Sequence, residues 1–119
     1  MIRLLAYIGG DGVKPFENWF VNLDIVARAK VVIALARLEQ GNSSNVKGVG
    51  AGVQEYKIDF GPGYRIYFGR DGVEVVILLG GGSKKRQSSD IAAAKSRWTD
   101  YKRRKKSEGT SSYGLDIRL

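Results

Sequence analysis

Apolar positions along this chain recur first with the period of a helix and later with the period of a strand. Arg3 to Ile8 is a short apolar run stopped by Gly9-Gly10, which predicts a first strand. Pro15 then opens a helix in which Phe16, Trp19, Phe20 and Leu23 stand at i, i+3, i+4 and i+7. Asp24 is placed to cap a second helix from Ile25 to about Gln40. Val31, Ala34, Leu35 and Leu38 form its apolar stripe, Arg28, Lys30 and Arg37 lie largely off it, and Gly41 ends it. The pair makes an N-terminal helical hairpin.

Gly48-Val49-Gly50-Ala51-Gly52 reads as a flexible loop, after which the period drops to two. Tyr56, Ile58 and Phe60 alternate with Glu55, Lys57 and Asp59; Gly61-Pro62-Gly63 makes a turn; Tyr64, Ile66 and Phe68 alternate with Arg65 and Tyr67. A loop at 61–63 pairs Ile58 with Ile66, Asp59 with Arg65 and Lys57 with Tyr67, all four polar partners sharing an outer face. Arg70-Asp71-Gly72 is a second turn, and the nearly continuous apolar run from Val73 to Leu79 reads as the central strand. Gly80 to Gly82 then release the chain. Ser88 or Ser89 caps a last helix with Ile91, Ala94, Trp98 and Tyr101 as its buried stripe. Both tryptophans belong to apolar stripes and are expected in the core.

The predicted class is α+β: a small antiparallel sheet of about four strands, an N-terminal helical hairpin and a C-terminal helix, with one sheet face left open. Residues 1–106 form the domain and 107–119 a polar C-terminal tail. With 119 residues, 43% of them apolar, the chain holds one core and no second catalytic domain.

The chain has no Cys and no His, which removes disulfides, thiolate nucleophiles, Cys/His zinc sites and imidazole bases. Neither a phosphate-binding loop nor a dinucleotide Gly-x-Gly-x-x-Gly is present, so no metal and no cofactor are expected. No apolar run approaches the ~20 residues of a bilayer span, and the N-terminal run is too short for a secretory signal. A cytoplasmic location and no membrane partner follow as expectations.

Net charge is +8, and its location says more than its size. Residues 84–106 hold ten basic and two acidic side chains; the preceding 83 residues hold nine and eight. Such a concentration is the footprint of a surface that meets phosphate, the alternative being a solvated helix face. Lys57, Arg65 and Tyr67 on the open sheet face, flanked by Lys84, Lys85 and Arg86, are the types that bind a phosphodiester: Arg as a fork, Lys as a point charge, Tyr as a stacking ring. They also suit RNA cleavage. The 2′-hydroxyl is its own nucleophile, so a protein need only hold it in line, neutralise the phosphate and move protons.

The stretch from Gly52 through Gly61-Pro62-Gly63-Tyr64-Arg65 to Phe68, followed by Leu78-Leu79-Gly80-Gly81-Gly82-Ser83-Lys84, Gln87 and Asp90-Ile91, resembles the RelE/HigB superfamily of toxins, closest to its addiction module killer proteins. The resemblance covers residues 15–101 and implies a RelE-like fold. It implies the toxin of a type II toxin–antitoxin module, a ribosome-dependent mRNA endoribonuclease working without metal through 2′-hydroxyl attack. Its partners would be a cognate antitoxin, messenger RNA and ribosomal RNA, with a homodimer or toxin–antitoxin hetero-oligomer as assembly. By position, Arg65 matches the phosphate-stabilising arginine, Lys57 a basic residue implicated in proton transfer, and Lys84 with Lys85 or Arg86 the basic loop. The last helix, with Lys95, Arg97, Lys102 and Arg103, would meet ribosomal RNA. The chain departs from the RelE pattern at Glu55, where a further basic residue is usual, at Ser88 and Ser89 in place of a tyrosine, and in lacking the HigB histidine. A ParE-like gyrase inhibitor without nuclease activity and a plain basic RNA-binding module are the alternatives.

Overall fold

The structure, a computed structural model, describes residues 2–108 and 114–117. In chain order the elements are β1 (Arg3–Tyr7), α1 (Pro15–Val21), α2 (Ile25–Glu39), β2 (Val46–Gly50), β3 (Val53–Ile58), β4 (Tyr64–Asp71), β5 (Val75–Ser83), a 3-10 turn (Lys84–Arg86), α3 (Gln87–Glu108) and β6 (Gly114–Ile117). The local signals place the helices: Pro15 begins α1, and the Asp24 carboxylate caps α2 by accepting from the Ala27 N–H at 2.8 Å. No helix among the described residues is long and apolar enough to cross a membrane.

The α+β class and the C-terminal helix are as the sequence predicts; the N-terminal helical hairpin is matched only roughly, α1 ending at Val21 short of Leu23, and the sheet is larger and mixed. Its order is β2-β3-β4-β5-β1-β6, with β1 parallel to β5 and the other neighbours antiparallel. The Gly48–Gly50 stretch, read from sequence as loop, belongs to edge strand β2. The segment read as a polar tail lends Ser107 and Glu108 to α3 and the backbone of Gly114–Ile117 to the sheet.

The expected open face is covered. Phe16, Val31, Leu35 and Leu38 pack with Tyr56, Ile66, Phe68 and Leu78 on one side; Ala94, Trp98 and Tyr101 of α3 pack with Tyr67, Ile77 and Leu79 on the other. The unbroken apolar run of β5 already demands this, because alternate residues of such a strand point to opposite sides and both need cover.

The β3–β4 register differs from the expected one by two residues: Lys57 pairs with Arg65, Ile58 with Tyr64 and Glu55 with Tyr67, so residues 59–63 form the loop. A shift of two keeps every side chain on its predicted side and changes only its partner. Gly80 to Gly82 do not release the chain; they are the paired end of β5. Their lack of side chains is a packing requirement. A Cβ on Gly81 would lie 2.2 Å from the Trp19 ring, and one on Gly82 1.9 Å from Asp90 Oδ2.

Candidate nucleic-acid interface

Arg65 sits in β4 between Lys57 of β3 and Gly82 of β5, at the open end of the sheet. Over Gly82 lies Asp90, in the first turn of α3, so this end of the helix closes upon the strand and leaves Arg65 only 6% exposed. Burying a guanidinium costs free energy unless it finds a counter-charge. Glu55, 1% exposed on the same side of β3, supplies it, with Oε1 3.4 Å from Arg65 Nε. Gln87 Nε2 donates to the other Glu55 oxygen at 2.9 Å, and Lys47 Nζ stands 3.8 Å from Oε1 across β2.

Nε stands at ion-pair distance from Glu55, and neither Nε nor Nη1 of Arg65 has a hydrogen-bond partner among the described residues. Arg65 borders a cleft of about 300 Å³ shaped by Lys57, Asp59, the Gly61–Gly63 turn and Lys84. The Lys84 N–H donates to the Gly63 carbonyl at 2.9 Å, which fastens the basic turn to the hairpin. Lys57 and Asp59 are exposed at the rim, 3.5 Å apart, while Lys84 is exposed opposite. The result is a half-walled recess with a buried guanidinium at its base and ammonium groups at its edge, a geometry that holds an anionic oxygen. No group of three carboxylates able to hold a metal ion occurs among the described residues.

Thus Lys57, Arg65 and Lys84, singled out from the sequence, share one cleft, and Lys85 and Arg86 are exposed on the adjoining turn. Tyr67 is a correction: it is 0% exposed beneath α3 and cannot stack a base. Burial foremost, then the charges of Glu55 and Asp90, push its hydroxyl well above the usual tyrosine range. Asp90 is likewise raised, by desolvation, which the charges of Arg86 and Arg97 only partly oppose.

The cations of α3 have separate engagements. Arg97 Nη1 donates to the carbonyl of Leu79 at 2.9 Å, Leu79 being the bulged residue of β5. Lys102 Nζ stands 5.6 Å from the Trp98 ring centre, and Arg103 Nη2 donates to Asp100 at 2.5 Å. Lys95 lies against Gly50, where its Nζ is 3.1 Å from the position of a Cβ. Sequence reasoning placed Glu55 among the polar alternating positions and noted it as a departure from a pattern, and gave neither it nor Gln87 a role at the site. The one available signal was that Glu55 lies two positions before Lys57 in a strand of period two.

Comparison with known proteins gives two findings. Residues 18–99 match the family described as Phage derived protein Gp49-like (DUF891). An uncharacterised protein of Haemophilus influenzae (strain ATCC 51907 / DSM 11121 / KW20 / Rd) is 41% identical over 81 residues, spanning 67% of this chain and 82% of that protein.

Proposed function

This chain belongs to the phage-derived Gp49-like family, commonly toxins of toxin–antitoxin modules, and we propose on that premise that it is a type II toxin that cleaves messenger RNA on the ribosome. The observation that carries the reading is the buried Arg65 guanidinium with a free Nη1 beside Lys57 and Lys84. A buried cation with an unfilled donor favours an anion at that point, and the two lysines make it a phosphodiester-sized site.

In this reaction the 2′-oxygen of the ribose attacks the adjacent phosphorus while the 5′-oxygen of the next nucleotide leaves, giving a 2′,3′-cyclic phosphate and a 5′-hydroxyl. Arg65 and Lys84 bind the non-bridging oxygens and gain strength as charge grows on them. Lys57, beside Asp59, is the proton-transfer group: as the amine it takes the proton of the 2′-hydroxyl, and as the resulting ammonium it gives that proton to the leaving 5′-oxygen. Lys85, Arg86 and Lys102 extend the contact to ribosomal RNA, the cytoplasm is the site of action, and a cognate antitoxin is the controlling partner.

The test is expression of the wild type, Arg65→Gln and Lys84→Gln without antitoxin, followed by primer extension on messenger RNA. Codon-phased breaks are expected for the wild type, falling by about 100-fold in either variant. The Lys84 variant leaves the Glu55 pair intact, so its loss of cleavage cannot be ascribed to misfolding. Intact messages with accumulating DNA breaks would replace this reading by gyrase inhibition, and neither kind of break would leave a binding module.

A further inference from the structure

A second cleft adjoins the first. It measures about 250 Å³ and lies between α2 and the β3–β4 hairpin, and both clefts share Lys57, Asp59 and Phe60 as lining residues. Its remaining charged residues are Lys30 and Arg37, both exposed. Lys30, Ile33, Ala34 and Arg37 stand at i, i+3, i+4 and i+7 on α2, so one face of the helix points at the hairpin. A helix face turned toward a sheet is ordinarily apolar along its length. Here its two ends are cationic, and only Asp59 opposes Lys30, Arg37 and Lys57 in the cleft.

At the junction lies Phe60. It is half-buried against the core, and Lys30 Nζ rests 5.2 Å from the centre of its ring. An ammonium over an accessible ring holds that face weakly, and base stacking on an aromatic ring is the stronger interaction. A base arriving at Phe60 therefore takes the ring face, and the freed ammonium of Lys30 meets the neighbouring phosphate.

We propose that the RNA strand whose phosphate sits at Arg65 continues over Phe60 into this second cleft, where the ring stacks one base and Lys30 and Arg37 bind the backbone. The inference rests on the phosphodiester reading of the Arg65 cleft and extends it to a second nucleotide subsite. It assigns three binding residues, Lys30, Arg37 and Phe60, that the sequence pattern leaves to the helix surface and to the apolar side of the strand before the turn.

The test uses the full chain and two fluorescent single-stranded RNA probes with 2′-O-methyl riboses, which cannot be cleaved: a dinucleotide and an oligomer of about eight nucleotides. Fluorescence anisotropy is measured across a salt series. The double variant Lys30→Gln/Arg37→Gln should bind the oligomer about tenfold more weakly and lower its salt slope by about 1.4, with the dinucleotide unaffected. Phe60→Leu, which keeps the apolar packing and removes the ring, should weaken the oligomer by about tenfold with no change in salt slope. Arg65→Gln should weaken both probes. If Arg65→Gln weakens both while the α2 variant changes neither, the second subsite is overturned and the Arg65 reading stands. If Arg65→Gln leaves the dinucleotide unchanged, the phosphate site is misplaced and this inference falls with it.

Discussion

At the Arg65 cleft and at the far end of α3, the same kinds of side chain are arranged to opposite effect. Toward the helix C-terminus the carboxylates of Asp100 and Asp71 are both saturated. Asp100 accepts from Tyr7 at 2.5 Å, Arg104 at 2.9 Å and Arg103 at 2.5 Å, and Asp71 accepts from Tyr101 at 2.7 Å and from Lys105. Arg104 also reaches the Ile8 carbonyl, so the cluster ties α3 to the end of β1 and the β4–β5 turn. At the cleft the pairing is incomplete: Arg65 Nη1 and Asp90 Oδ2 are buried without hydrogen-bond partners among the described residues. One end of the helix is a latch, and the other leaves the buried Arg65 guanidinium with an unfilled donor, which an anionic ligand can fill.

The titrations follow the same division. At the latch, burial alone would raise Asp71 and Asp100, yet their hydrogen bonds and the nearby Lys105 and Arg104 outweigh it and hold both carboxyls below the usual carboxylate value. Tyr7 is pushed up to about 12 by burial and by Asp100. At the cleft, Asp90 moves the other way because the charges of Arg86 and Arg97 offset its burial only in part.

The sharpest way to break this contrast is Glu55→Ala. It leaves Arg65 buried with no counter-charge, and denaturant unfolding should show a loss of about 3 kcal/mol. An unchanged midpoint would mean that Arg65 is solvated and the recess is ordinary surface.

A smaller effect separates the two carboxylate environments. Asp71→Asn should cost about 1 kcal/mol at neutral pH, once solvent screening of the 38% exposed Lys105 is allowed for. A depressed carboxyl stabilises above the unfolded pKa of about 3.9 and loses that contribution as pH falls through its folded value, so the deficit should vanish in acid. Asp90, being raised, has the opposite sign: its contribution is present below about pH 3.9 and is lost as pH rises through its folded value. Asp90→Asn should therefore flatten the profile in the opposite sense to Asp71→Asn. Unfolding midpoints measured through the acid range decide it, and parallel shifts would refute the division.

The smallest effect is expected from Arg103→Gln. Its guanidinium is held by Asp100 at the latch, so RNA binding should change by less than about twofold. A loss matching that of Lys84→Gln would return the terminal helix to the centre of the interface.

Much of this was legible in the chain because it is local. The Asp24 cap, the stripes of α1, α2 and α3, and the sidedness of β3 and β4 follow from spacings of a few residues. The convergence of Lys57, Arg65 and Lys84 was legible too, since a hairpin and the strand after it bring them to one end of the sheet. The pairing within the hairpin was not: period two fixes which side a residue faces, and a slip of two leaves the pattern identical. Gly80 to Gly82 misled for a related reason, since a turn and a strand that must admit Trp19 and Asp90 both call for the absence of a side chain.

The sequence by itself determined the helices, the sidedness of β3 and β4 and the position of the charge, because dihedral preference, capping and alternation act between near neighbours. Only the tertiary structure decided which cations are free. That depends on where α3 lies across the sheet and which acceptor oxygen each cation meets, and those pairs are separated by as many as 96 residues, as between Arg104 and the Ile8 carbonyl. Local spacing carries no information about such contacts; packing both sides of the apolar β5 creates them.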